Sequence, residues 1–147
     1  MMSIKSNKEI MQAAIHVAER NETPFGAALA MGNELFAAAA NQTSQKSDPT
    51  AHAEIEVIRK LADQLQKKDL SGFTLYTTCE PCPMCMSAII WSGISTVVYG
   101  CDIPIISTYM KQIQIRAEEI AQKSSADIEF HPGFMLTECE DLLRKYS

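Results

Sequence analysis

Two short fragments carry the residues best suited to chemistry: His52-Ala53-Glu54 and, further along, Cys82-Pro83-Met84-Cys85. One imidazole and two thiolates suit zinc, and three protein ligands leave a tetrahedral ion one corner for water. Glu54 is not needed as a ligand, so its carboxylate is free to move the protons of that water. The i, i+3 spacing of Cys82 and Cys85 puts both sulfurs on one helical face. A helix N-terminus there favours the thiolates that a metal requires. Two thiolates also weaken the ion's pull on its water, which a nearby base offsets, and Glu54 is the acid inside these fragments. A closed site is the competing reading. Cys79-x-x-Cys82 is a second C-x-x-C, and a fourth ligand from Cys79 would leave no place for water. Cys79 ends a predicted strand and is expected instead as a buried thiol. A redox C-x-x-C would leave His52 and Glu54 unexplained.

The elements that must position these residues follow from periodicity. Residues 5–20 carry apolar positions at helical spacing and predict an amphipathic helix. Residues 24–31 and 34–40 are short apolar runs around Gly32-Asn33, a hairpin signal. Residues 41–50 form a polar loop ending in Asp48-Pro49-Thr50, with Pro49 at the first helical position and Asp48 or Thr50 as cap. Ile55, Ile58, Leu61, Ala62 and Leu65 predict a helix running to about residue 68. FTLYTT (73–78) predicts a strand. Pro83 opens a further helix that Gly93 stops. Residues 94–100 predict a strand, 105–123 a helix, 127–131 a short strand and 136–146 a last helix. The expected fold is a three-layer α/β/α sandwich over residues 1–147, taken as a single zinc-dependent domain. Its central mixed sheet of about five strands starts antiparallel and continues in parallel βαβ units.

Composition narrows the function. The chain has 147 residues, 46% of them hydrophobic and 21% charged, with a formal net charge of −5. That balance disfavours broad contact with a phosphate backbone, whose affinity comes largely from Lys and Arg. A small neutral substrate fits it better. Five cysteines in a chain with no apolar signal core point to a cytoplasmic protein that uses thiols for metal. No apolar run approaches a membrane span. Glu56 is expected to be solvated, His16 exposed, His131 a loop residue, and Cys101 and Cys139 structural thiols.

DPTAHAE together with TTCEPCPMC resembles the nucleobase and nucleoside deaminase branch of the cytidine deaminase superfamily; the signature joins His-x-Glu to Pro-Cys-x-x-Cys. The similar features run from PFGA near residue 24 to VVYG near residue 97. The resemblance implies a cytidine deaminase-like fold and His52, Cys82 and Cys85 as ligands of Zn2+. It implies Glu54 as proton shuttle for hydrolytic release of ammonia from a cyclic amidine. It also implies Asn41 as a base-binding amide, the Ala53 backbone amide as a substrate contact, Phe25 as pocket lining, and a homodimer. SDPTAHAE, LYTTCEPCPMC and AIIW look most like bacterial guanine deaminases, which makes guanine the favoured substrate and Trp91 a pocket wall. Tyr146 resembles their aromatic ending. One departure stands beside this. Those enzymes carry an acid after the fourth strand, and residues 103–117 here contain no Asp or Glu. Deamination of adenosine in transfer RNA, deamination of cytosine, and a non-catalytic zinc-stabilised binding module remain as alternatives.

Overall fold

The structure is a computed structural model and describes residues 4–147. Helix α1 (Ile4–Arg20) precedes a hairpin of β1 (Gly26–Met31) and β2 (Glu34–Ala40). One helical turn, α2 (Thr43–Lys46), leads to α3 (Ala53–Leu65), then β3 (Thr74–Cys79), α4 (Pro83–Trp91) and β4 (Thr96–Cys101). Two short helices, α5 (Ile103–Ile106) and α6 (Ala117–Gln122), precede β5 (Glu129–His131) and α7 (Leu136–Tyr146).

The five strands form one sheet in the order β2-β1-β3-β4-β5. β1 pairs antiparallel with β2 and β3, while β3–β4 and β4–β5 are parallel. The mixed sheet, antiparallel first and parallel later, is the one expected. The hairpin turns on Gly32-Asn33: Gly32 has φ +60° and Met31 pairs with Glu34. Glycine is suited to that first central position because a Cβ there would be strained. A register shift between Leu29 and Ala30 places an extra residue in β2, a bulge that bends this edge strand.

Alternation along the strands divides the core. Ala28, Ala30, Tyr76 and Val98 pack with α1 and with Cys139, Leu142 and Leu143 of α7. Ala27, Leu29, Leu75, Val97 and Tyr99 pack with Val57 and Leu61 of α3 and with Met86 and Ile89 of α4. Helices therefore cover both faces, making three layers. Each fully buried Leu or Val contributes about 1.5–3 kcal/mol, so the apolar stripe of α3 fixes that helix far more firmly than helix propensity does. Gly26 shows how close α1 lies: a Cβ at this position would come 2.0 Å from the Ala14 carbonyl oxygen.

Three local expectations change. Residues 105–123 are not one helix but α5, an irregular stretch and α6. Pro49 does not open α3. It sits in a turn closed by the Ala51 amide on the Asp48 carbonyl (3.1 Å), with Asp48 Oδ1 accepting from the Thr50 amide and hydroxyl. Asp-Pro is a favourable start for such a turn, and α3 begins four residues later. Glu56 is buried at 8% exposure and ion-pairs with Lys46 and Arg59, tying the loop that carries Asn41 to α3. Among the described residues, no helix is long and apolar enough to cross a membrane.

Candidate active site

The C-terminal ends of parallel β3 and β4 leave a crevice, the usual place for a ligand in an open α/β sheet. Two helix N-termini meet there. His52 is the N-cap of α3 and Cys82 the N-cap of α4, both with extended backbone, and Cys85 lies in the first turn of α4. Pro83 follows Cys82 at the first helical position, where its missing N–H costs nothing.

His52 Nδ1 lies 3.6 Å from Cys82 Sγ and 3.5 Å from Cys85 Sγ. A tetrahedral zinc with Zn–S about 2.3 Å and Zn–N about 2.05 Å has an N···S edge of about 3.6 Å. The three residues therefore fit the ion as they stand. Among the described residues, they are the group of three or more potential ligands whose donor atoms lie within 4.8 Å of one another. Cys79 is outside that group. Its thiol, 2% exposed, pairs with Cys101, its register partner on β4, and that contact and burial push it well above the usual thiol range. A fourth protein ligand is thus not gathered at the site. Cys82 is held at about 4, first by the hydrogen bond from Cys85 and next by His52, against the opposing effect of burial. Cys85 is pushed up by that same bond and by burial. The pair shares one negative charge until a cation displaces the remaining proton.

Glu54 is 5% exposed, and burial, followed by the charge of Cys82, raises its carboxyl to about 7. A buried carboxyl poised near neutrality is what a proton shuttle requires. It lines a cavity of about 380 Å³, partly open to solvent, with Phe25, Asn41, His52 and Cys82. The Asn41 amide donates to the Phe25 carbonyl (3.1 Å). Asn41 Oδ1 accepts from the Thr43 amide (3.0 Å), so its NH₂ is the group available to a ligand. Ala53 is fully buried, and its amide is the first of α3, one of those a helix leaves without an intrahelical partner.

Trp91 does not join these residues. It is 88% exposed at the end of α4 and does not line the cavity that Glu54 faces. Tyr146 lines a groove next to the cavity, and that groove shares Phe25 and Asn41 with it. Two cavity residues escaped the sequence reading, Glu80 and Gln112. Glu80 is 2% exposed, and its carboxylate accepts from the Ile103 amide, the Ala117 amide and Arg116 Nε. A glutamate inside TTCEPCPMC was a visible signal, but its partners lie 23 to 37 residues away.

A mixed sheet sandwiched by helices, with His-x-Glu and Pro-Cys-x-x-Cys at two converging helix starts, defines a zinc-binding deaminase-type domain. The chain belongs to the cytidine and deoxycytidylate deaminase zinc-binding family, whose model matches residues 4–101. It is 43% identical over 86 residues to the tRNA-specific adenosine deaminase of Agrobacterium fabrum (58% of this chain) and 42% over 79 residues to the guanine deaminase of Bacillus subtilis (54% of this chain). These matches span about half of those relatives, 57% and 51% of their lengths. It is 34% identical over 145 residues to the tRNA-specific adenosine deaminase of Buchnera aphidicola subsp. Baizongia pistaciae, covering 96% of this chain and 88% of the relative. A variant of the protein NE0047 in complex with 8-azaguanine superposes with a TM-score of 0.85 at 27% identity, over 93% of this chain and 81% of that one.

Proposed function

We propose that this chain is a zinc-dependent aminohydrolase that deaminates a small neutral heterocycle, with guanine the favoured substrate. The observation that carries the reading is the shared cavity: the three-residue metal site and a buried carboxyl near neutrality open into one space. His52, Cys82 and Cys85 hold the ion, which when bound supplies Lewis acidity to a water. Glu54 takes a proton from the attacking water and delivers it to a ring nitrogen. It then passes a second proton to the departing amine, so that ammonia leaves and a carbonyl remains. Phe25 packs against the ring and Asn41 orients it. The Ala53 amide donates to the ring carbonyl or nitrogen.

The preference for a free base over a polynucleotide rests on charge. Neither the cavity nor the adjoining groove with Tyr146 includes a Lys or Arg among its lining residues. With a formal charge of −5 on the chain, contacts to a phosphate backbone find little to hold them. The second reading, adenosine in transfer RNA, is favoured by the Buchnera relative, which matches over most of its length. The same proposal includes a cytoplasmic homodimer. Trp91, the single tryptophan, is left exposed by one chain, and a dimer that covers it should blue-shift its fluorescence as concentration rises.

An ammonia-release screen over guanine, guanosine, adenine, cytosine and unmodified transfer RNA tests the reaction. Release from guanine is expected. Release from transfer RNA alone overturns the substrate, and no release from any of them by zinc-loaded protein leaves a binding module.

A further inference from the structure

A second groove, of about 1070 Å³ and open to solvent, runs along the free edge of β2, and no residue lines both it and the catalytic cavity. Four cations line it from three helices: Arg20 at the end of α1, Lys46 at the end of α2, and Arg59 and Lys60 of α3. Two carboxylates, Glu56 and Asp63, lie among them. The chain as a whole carries a formal charge of −5, so the groove reverses the sign locally. A cleft lined mainly by one sign of charge concentrates its field on a ligand of the other. Lys46 and Arg59 are partly engaged, since both reach Glu56 and Arg59 lies 3.7 Å from Asp48. Arg20 and Lys60 are exposed and have no carboxylate partner among the described residues.

The floor of the groove is a strand edge. The Asn41 amide donates to the Phe25 carbonyl across the hairpin, and in an antiparallel pair residues that bond across alternate with residues that do not. Ala39, paired with Ala27, therefore faces β1, and Ala38 turns its N–H and C=O outward. Lys60 Nζ agrees with that direction, donating to the Ala38 carbonyl at 3.2 Å. The bond takes up the acceptor and leaves the Ala38 N–H facing the groove, with only a methyl side chain beside it. A peptide adding as a further strand needs acceptors as well as donors from the edge, and at Ala38 it finds the acceptor occupied. Ammonium, guanidinium and backbone N–H groups are all donors, so the groove suits a ligand that only accepts.

We infer that the groove beside β2 is a binding site for a small polyphosphate anion, and that its occupancy is felt at Asn41. Its cations come from both sides of the sheet, because α1 packs on one face and α3 on the other. Charge spread over two or three phosphates matches that arrangement better than one phosphate does. The link to the catalytic cavity is α2. Its first amide, on Thr43, donates to Asn41 Oδ1 (3.0 Å), and its last residue, Lys46, lines the groove. An anion shared by Arg20, Lys46, Arg59 and Lys60 ties α2 to α1 and α3, which steadies the loop that carries Asn41. Occupancy then lowers KM for the base and leaves kcat unchanged, since Glu54 and the metal residues lie outside the groove. Binding is independent of the deaminase reading, while the effect on KM rests on it.

The test is calorimetric titration of zinc-loaded protein with inorganic phosphate, tripolyphosphate and UTP, whose base carries no amino group, at an ionic strength held constant with KCl. Tripolyphosphate is expected to bind, and phosphate to bind more weakly. UTP tighter than tripolyphosphate marks a nucleotide as the source of the phosphates; equal or weaker binding marks a free polyphosphate. Arg20→Ala and Lys60→Ala should each weaken tripolyphosphate about tenfold, the value of one lost hydrogen bond to a charged group. Both should leave zinc content and the anion-free KM as they are. Affinity that neither substitution changes, as binding at the metal would give, overturns the inference. So does a groove that holds a short single-stranded RNA but not tripolyphosphate, which would make it a nucleic-acid contact. Should the variants fail to fold, amide resonances of wild type decide: tripolyphosphate should move those of Ala38 and Lys60, and shifts confined to other residues overturn the site. Tripolyphosphate should also lower KM severalfold in wild type and less in Lys60→Ala. Binding with an unmoved KM overturns the link through α2. Absence of ammonia release from every base removes the deaminase reading, and the titrations still judge the site.

Discussion

The two walls of the cavity are built by different means. The metal wall uses the first turns of α3 and α4, and each residue's place follows from its neighbours in sequence. The other wall uses residues 107–116, held by distant partners: Glu80 takes the amides at Ile103 and Ala117, and the Tyr109 hydroxyl donates to Glu140 of α7 (2.8 Å). The first wall is regular helix on a packed core, with Ala53, Cys85 and Met86 fully buried. The second runs over the surface with Ile113 at 61% and Ile115 at 41% exposure. The metal-site residues thus sit on rigid elements, while the other wall is a surface segment of the kind that tolerates variation.

The largest effects should come from the first wall. Cys85→Ala is expected to abolish zinc retention through gel filtration and to lower turnover by at least ~10⁴-fold. Enzymatic accelerations are typically ~10⁶ or more, and the whole Lewis-acid contribution is lost. Zinc retained with normal turnover would mean that the ligand set is different. Glu54→Gln should keep zinc and lose turnover by roughly 10³-fold, within the range of general acid–base catalysis. Metal analysis beside steady-state kinetics separates these two outcomes, and unchanged turnover in Glu54→Gln removes it from the mechanism.

Legibility in the sequence divides along the same line. His52, Glu54, Cys82 and Cys85 could be read because ligand chemistry and helix starts are local, and so could the hairpin at Gly32-Asn33. The antiparallel start and parallel continuation of the sheet were legible because a hairpin and short βαβ connections leave few ways to pair strands. Residues 107–116 were not. Lys111, Gln112, Gln114 and Arg116 are good helix formers, and propensity favours a helix through them. The demand of buried Glu80 for donors at Ile103, Arg116 and Ala117 overrides that preference, and no local pattern announces it. Glu56 was misread for a similar reason, since Lys46, its partner, belongs to a different element. Trp91 was assigned to a pocket through resemblance, and it lies 88% exposed at the end of α4.

A smaller effect links the metal wall to pH. In zinc-free protein the Glu54 carboxyl is raised from its ordinary value of 4.5 to about 7, mainly through burial. A carboxyl raised on folding favours the folded state fully below about 4.5, and that advantage is lost as pH rises through about 7. At 1.36 kcal/mol per pKa unit, the charged form then costs about 3 kcal/mol. Zinc-free Glu54→Gln should accordingly be more stable than zinc-free wild type at pH 8, by up to about 3 kcal/mol. The difference should fade toward pH 4.5. Denaturant midpoints at the two pH values check this, and a gap independent of pH would mean that Glu54 does not titrate in this window. Bound zinc should shrink the gap, because a nearby cation favours the carboxylate.

The smallest effect belongs to the second wall. Arg116→Ala removes one partner of a carboxylate with a fully buried side chain, while Arg116 itself is 36% exposed. Breaking a fully buried pair costs about 3–5 kcal/mol, but solvent screens the arginine side. Glu80 also keeps the Ile103 and Ala117 amides. These offsets bring the expected cost to about 1–2 kcal/mol, a fall in melting temperature of roughly 2–8 °C for a chain of this size. Zinc content should not move, since the side chain of Arg116 bonds Glu80, which is not one of the three metal-site residues. The ratio of kcat/KM between guanine and adenine should move, because one anchor of this wall is gone. A lower melting temperature with an unchanged ratio would make the arginine a stability residue only. Loss of zinc would show instead that the two walls are one mechanical unit, which their separate anchoring argues against.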